Sequence, residues 1–231
     1  MNARPNAVFS LITLITLALC AGALAADASL LKPPPGAKVA IVMFEDLECP
    51  ECARAYALVW EAANARKVPV VLHDFPLPRH NWSFEAAVWA RHFDLTSVVL
   101  GNEFRKFIYA NQVQINKDNL QQWVQKFADE NKSPLPFAKD PDGKLAEKVR
   151  ADYALGQRIG VEHTPTIWVI SNGGVSQPLV EEVKDRDQLD QMIEGMLKKA
   201  QPAQPGKGAS PRDAAPGKKK SAPKNLKKAG S

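Results

Sequence analysis

The chain has 231 residues, of which 45% are hydrophobic and 24% charged, the proportions of a globular protein. Its net charge of +5 belongs to one end: Gln201 to Ser231 carry eight Lys and Arg against Asp213, a net of +7, and with that tail and Arg4 set aside the remainder stands at −3. The basic balance therefore gives no ground for a nucleic-acid surface on the folded part, and the sequence has no phosphate-binding glycine loop, Ser/His/Asp arrangement or DNA-binding signature.

In chain order, Arg4, the apolar run Ala7–Leu19 and the small residues at Ala23 and Ala25 read as a secretory signal over residues 1–25, with the mature chain starting at Ala26. The apolar run is short of the about 20 residues needed to cross a bilayer, which weighs against an uncleaved anchor. Leu19 before Cys20 is bulkier than lipid attachment normally allows. A short N-terminal extension, 26–37, precedes a domain over 38–200, long enough for a core of its own.

Within the domain, Lys38–Phe44 reads as a buried strand and Pro50–Arg66 as a helix with Ala53, Tyr56, Ala57, Trp60 and Ala63 at helical spacing. Val68–His73 is a second strand. A helical block over about 82–157 follows: Trp82–Phe93, the stretch Leu120, Trp123, Val124 and Phe127, and the stretch Leu145, Val149 and Tyr153 closed by Gly156 as a C-cap. Its aromatic residues Trp82, Trp89, Phe93, Phe104, Phe107 and Trp123 recur at helical spacing and read as insertion core. Thr166–Ile170 is a third strand, Asn172-Gly173-Gly174 a turn, Pro178–Val183 a fourth strand and Gln188–Lys198 a last amphipathic helix. From Gln201 onward Lys, Pro, Ala and Gly predominate around the single aliphatic Leu226, a composition unable to bury enough apolar surface to fold.

Chemistry concentrates at Cys49, Pro50, Glu51 and Cys52, where the first strand gives way to the first helix. Two thiols separated by two residues at a helix start can close into a small disulfide ring and reopen. So short a loop hardly restrains the unfolded chain, so a purely structural disulfide is a poor account of it. Zinc is the other reading of such a pair, but there is no second CxxC and no HxxxH, only the scattered His73, His80, His92 and His163. With Cys49 at the N-cap and Pro50 at the first helical position, the free N–H groups and the helix dipole favour an anionic Cys49, the attacking sulfur; Cys52, a turn inward, is the shielded, resolving one.

The stretches FEDLECPEC (44–52), DFPLPRH (74–80) and GVEHTPTIWVI (160–170) resemble the three signature stretches of the DsbA-like thiol-disulfide oxidoreductases of the thioredoxin superfamily. The likeness spans about 38–200 and implies an α/β fold, a thioredoxin fold with an inserted helical subdomain. It implies disulfide exchange through Cys49 and Cys52 with no metal or organic cofactor beyond the pair itself. It also implies a cis bond at Thr164-Pro165 facing the cysteines, there to pair with an extended substrate peptide as an added strand. One of Glu45 and Asp46 is then a buried acid relaying a proton to Cys52, or each is an ordinary solvated carboxylate at a strand end. His163 either approaches Cys49 and favours its thiolate or is simply exposed. The strongly oxidising relatives carry His where this chain has Glu51, and Glu45, Asp46, Glu48 and Glu51 crowd negative charge around Cys49, which opposes the thiolate. Solvation of those acids would leave a weaker oxidant.

The expected activity is disulfide formation in exported proteins, in the periplasm or another extracytoplasmic space. Expected partners are unfolded or cysteine-containing exported proteins and a redox partner, membrane-bound or not, that resets the disulfide; nucleic acid is not among them. The basic tail is either a solvated tail or a contact for anionic envelope components. The alternatives are a reductase or isomerase on the same fold, and a non-enzymatic peptide-binding adaptor held to the envelope by its tail.

Overall fold

The structure, a computed structural model, describes residues 28–176, 179–180 and 186–200. The expected signal sequence and basic tail lie outside these residues. Among them run β1 (Val39–Glu45), α1 (Pro50–Arg66), β2 (Val70–Asp74), α2 (Ser83–Thr96), α3 (Val98–Asn111), α4 (Leu120–Glu130), α5 (Lys144–Arg158), β3 (Thr166–Ser171), β4 (Gly174–Val175), β5 (Leu179–Val180) and α6 (Arg186–Lys199).

β1 is central, with β2 parallel on one side (Val42 opposite Val71) and β3 antiparallel on the other (Val42 opposite Trp168). All seven β1 residues are buried, which is why the strand reads as one apolar run rather than an alternating one. Its side chains still alternate between two cores. Val39, Ile41 and Met43 join α1, α6 and the helical insertion; Ala40, Val42 and Phe44 join Phe75, Ile159 and Trp168 on the other face. Glu45, next in the alternation, continues the first set and points a carboxylate into the insertion.

β4 and β5 both pair antiparallel with β3, at Ile170 opposite Val175 and at Ile167 opposite Leu179. Between them Val169 N–H is received by the Ser176 hydroxyl at 3.0 Å. The fourth strand expected over Pro178–Val183 is thus represented by β5 alone, its other residues lying outside those described.

The thioredoxin fold with a helical insertion is present, α2 to α5 occupying the connection from β2 to β3. The rings of Phe93, Phe104 and Phe127 meet at 4.8–5.1 Å in its core. α3 is not delimited in the sequence reading, which places only its Phe104 and Phe107 in the core of the helical block. Its buried stripe is Gly101, Phe104, Arg105, Ile108 and Tyr109, a helical period with a glycine and an arginine in place of apolar residues. Gly101 is required: a Cβ there would lie 1.8 Å from Asp94 Oδ1.

Gly156 does not cap α5, which runs on to Arg158. A Cβ at Gly156 would stand 2.6 Å from the Phe75 ring and 3.1 Å from Phe44, so the glycine lets α5 press against the sheet. The helix ends at Gly160 (φ +80°), with Gly160 N–H donating to Gln157 O and Val161 N–H to Gly156 O, a Schellman motif. That reversal leads the chain into the loop 161–165 beside the cysteines.

Candidate functional site

Cys49 is the N-cap of α1 and Pro50 its first residue, exposed, where the missing N–H costs nothing. The pair are free thiols; Cys49 is 4% exposed and Cys52 0%. From across the fold, the cis peptide bond Thr164-Pro165 brings the Thr164 carbonyl to Cys49, whose thiol donates to it at 3.2 Å. Thr164 and Pro165 are buried.

The two sulfurs are driven apart in acidity. A hydrogen bond from the Cys52 thiol pulls Cys49 down to about 6 against the cost of its burial, helped by the otherwise unpartnered Thr164 hydroxyl and the Cys52 main-chain N–H, and opposed by the charge of Asp46. Burial pushes Cys52 well above its ordinary value, and the neighbouring Cys49 and Glu45 push the same way. One sulfur is thus an anion near neutrality while its neighbour keeps a proton, as attacking and resolving thiols require.

The four carboxylates are not a solvated cloud. Glu45 and Asp46 are each 1% exposed, so the reading of solvated strand-end acids gives way, and all four are paired. Glu45 receives Arg105 Nε at 3.1 Å and the Tyr109 hydroxyl at 2.9 Å, both from α3. Burial raises Glu45 to about 7 even so, with Arg105 opposing and Asp74 adding to the rise. Asp46 receives the N–H groups of Glu48 and Leu77, the Ser83 hydroxyl and His80 Nδ1. Glu48 receives Trp82 N–H at 2.9 Å and Ser83 N–H at 3.2 Å, an anion at the start of α2. Glu51, half-buried, pairs with Arg54 one turn on. Among these acids, Asp46 is the one whose charge weighs against the Cys49 anion.

Arg105 continues inward. It binds both oxygens of Asp94 at 3.0 and 3.1 Å, and Arg91 joins Asp94, Asp74 and Asp152, the last held by His73 at 2.7 Å. The network reaches a cleft of about 300 Å³ lined by His73, Arg91, Asp94 and Arg105 beneath Pro33–Pro35.

His163 is the one candidate that the structure leaves apart. It is exposed, its carbonyl receives the Thr166 hydroxyl at 2.6 Å, and its ring makes no hydrogen bond or ion pair with Cys49. The residues that sequence reasoning missed are Arg105 and Tyr109; their spacing of four on a helical period was the available signal, obscured because Arg105 occupies a core position. Among the described residues no group of three or more His, Cys, Asp or Glu side chains is arranged to hold a metal ion, and no helix is long and apolar enough to cross a membrane.

A family model described as thioredoxin matches residues 34–198. No curated protein matches the chain. Solved structures with the same fold include a thiol-disulfide exchange protein, α-DsbA2, from Wolbachia pipientis (18% identity, 74% of this chain and 88% of that one, TM-score 0.55). A periplasmic thioredoxin-like protein from Salmonella enterica serovar Typhimurium is similar at 17% identity, over 72% of this chain and 88% of that one, with a TM-score of 0.57. Proteus mirabilis ScsC in a compact conformation is similar at 19% identity, over 69% of this chain and 84% of that one, with a TM-score of 0.57.

Proposed function

Because the chain belongs to the thioredoxin family, matched from residue 34 to 198, we propose that it is an exported thiol-disulfide oxidoreductase that forms disulfides in other exported proteins through Cys49 and Cys52. The observation that carries the reading is the placement of two free thiols at one helix start, Cys49 at the N-cap and 3.2 Å from the Thr164 carbonyl with Cys52 fully buried behind it, an arrangement that drives their acidities apart.

In the oxidising direction a substrate thiolate attacks the Cys49 sulfur of the closed disulfide, and Cys52 leaves and takes up a proton. A second substrate thiolate then attacks the substrate's own sulfur in the mixed disulfide and displaces Cys49 as a thiolate. Two electrons pass from the substrate thiols to the Cys49–Cys52 pair, and a separate disulfide-bearing partner must reoxidise it. A Cys49 midpoint of about 6 makes it a better leaving group than an ordinary thiol. Glu45, fully buried, raised to about 7 and near enough that its charge raises Cys52, is the acid that we assign to exchange the Cys52 proton. Thr164 and Pro165 receive the substrate backbone beside Cys49. The chemistry calls for no metal or organic cofactor.

The reading is tested by oxidative refolding of a reduced two-disulfide protein with catalytic amounts of the oxidised chain and glutathione disulfide as the stoichiometric oxidant. Cys49→Ser abolishes turnover, and Cys52→Ser, offered the same protein in its disulfide form, attacks one of its disulfides through Cys49, releases a substrate thiolate and stays in the mixed disulfide because no resolving thiol remains. Undiminished activity in Cys49→Ser would refute the redox reading and favour a peptide-binding adaptor. The reduction potential separates oxidase from reductase: with an acidity between those of thioredoxin (about 7) and DsbA (about 3.5), it belongs between about −270 and about −120 mV.

A further inference from the structure

The stretch DFPLPRH does more than turn the chain out of β2. His80 N–H closes that turn on Leu77 O at 2.9 Å, and the turn wraps around one carboxylate: Leu77 N–H and His80 Nδ1 each lie 2.7 Å from Asp46 Oδ2. The other oxygen receives Glu48 N–H at 2.7 Å and the Ser83 hydroxyl. A carboxylate only accepts, so the His80 nitrogen that faces it carries a hydrogen.

Asp46 is joined to both thiols through its own main chain. Its N–H donates to Cys52 Sγ at 3.4 Å and its carbonyl receives Cys49 N–H at 3.0 Å. A negative charge fixed there holds the turn in place and at the same time repels a thiolate on Cys49. Two N–H groups and a hydroxyl satisfy its lone pairs without cancelling its charge. His80 is the one titratable donor of the four, and its side chain is 14% exposed where that of Asp46 is fully buried, so it lies between the acid and solvent. Of the other charged groups nearby, Glu48 on the same turn is engaged by the main chain at the start of α2, and Arg79, next to His80, is exposed.

We propose that His80 is a positioning residue for the thiol pair: its ring nitrogen, 2.7 Å from Asp46 Oδ2, lets this carboxylate clamp the Asp46–Cys49 turn, and in its protonated form it offsets the Asp46 charge that opposes the Cys49 anion. The inference deepens the redox function proposed above and rests on it for its purpose. Its readout is the ionisation of Cys49 in the reduced full chain, which needs no turnover. A chain that titrates as described yet exchanges no disulfides loses the proposed function and keeps this ion pair.

The test is iodoacetamide alkylation of Cys49 against pH, followed by mass spectrometry, in the native chain, His80→Asn and His80→Gln. Both variants keep an N–H donor and cannot take up a proton. A midpoint moved from about 6 to about 7 leaves about one in eleven Cys49 ionised at pH 6 instead of one half, a fall in alkylation rate of about fivefold. His80→Lys, which restores a cation, recovers most of the native rate. Native alkylation profiles in both neutral variants would overturn the proposal, whatever either does to thermal stability.

Discussion

Glu45 stores a dependence of stability on pH that one substitution removes. Its carboxyl titrates at 4.5 when free and at about 7 in the folded chain, because burial outweighs Arg105 and Tyr109. The folded state therefore holds a proton that the unfolded state has released throughout the interval between those values. Stability from this group is complete below pH 4.5 and is lost as pH rises through about 7, at a slope of up to about 1.4 kcal/mol per pH unit. Integrated over the interval, the loss is about 3 kcal/mol, a large share of the about 5–15 kcal/mol that holds a domain folded. Gln has nearly the shape of Glu and no proton to lose, so Glu45→Gln flattens the profile. Urea unfolding of the reduced protein, followed by circular dichroism from about pH 4 to about pH 8, measures both slopes. Asp74 is also raised by burial, but it is present in both proteins, so the difference reports Glu45. If the Gln variant loses stability as steeply as the native chain over this range, Glu45 titrates normally and its assignment as the Cys52 proton exchanger fails with it.

Three further outcomes are expected. Cys52→Ala removes the hydrogen bond that does most to stabilise the Cys49 anion, so the alkylation midpoint of Cys49 rises above about 6; a fall or no change contradicts the assignment of that bond. Gly156→Ala forces a methyl into the Phe75 ring and destabilises the fold by about 1–3 kcal/mol, read as a drop in Tm of about 2–4 °C per kcal/mol, whereas an unchanged Tm would mean that α5 and the sheet separate freely. Glu51→Gln, at a residue whose charge is met by Arg54 and half-exposed to solvent, leaves the redox equilibrium with glutathione within about twofold of native; a large shift restores a direct role for Glu51.

The sheet and the thiols were legible because they follow local rules. β1 is a continuous apolar run since both of its faces are covered by a core, and Cys49-Pro50 reads as a helix start because a residue without a main-chain N–H is tolerated at the first helical position. The bounds of α3 were hidden by its own chemistry, although Phe104 and Phe107 marked it as part of the insertion core: Gly101 and Arg105 stand where the period calls for apolar residues, one to admit the Asp94 side chain and one to bind it. The acids beside the cysteines, of which one of Glu45 and Asp46 was read as either buried or solvated, were legible only in part for a related reason. Proximity along the chain made them one block of like charge, but their partners lie far away in sequence, Arg105 60 residues from Glu45 and His80 34 from Asp46. Gly156 gave the opposite error, a glycine demanded by a close approach and read as one demanded by a turn.

That wiring bears on how freely the insertion can be exchanged. Its first two helices supply what the acids at the end of β1 need: Ser83 and the first N–H groups of α2 for Asp46 and Glu48, Arg105 and Tyr109 of α3 for Glu45. A chimera that grafts a foreign helical cap between β2 and β3 inherits those carboxylates with no counterparts, and a buried acid stripped of its donors is a far heavier burden than a poorly fitting apolar side chain. Cap and sheet in this molecule are not interchangeable modules, and swaps succeed only when the acids at the junction travel with the helices that serve them.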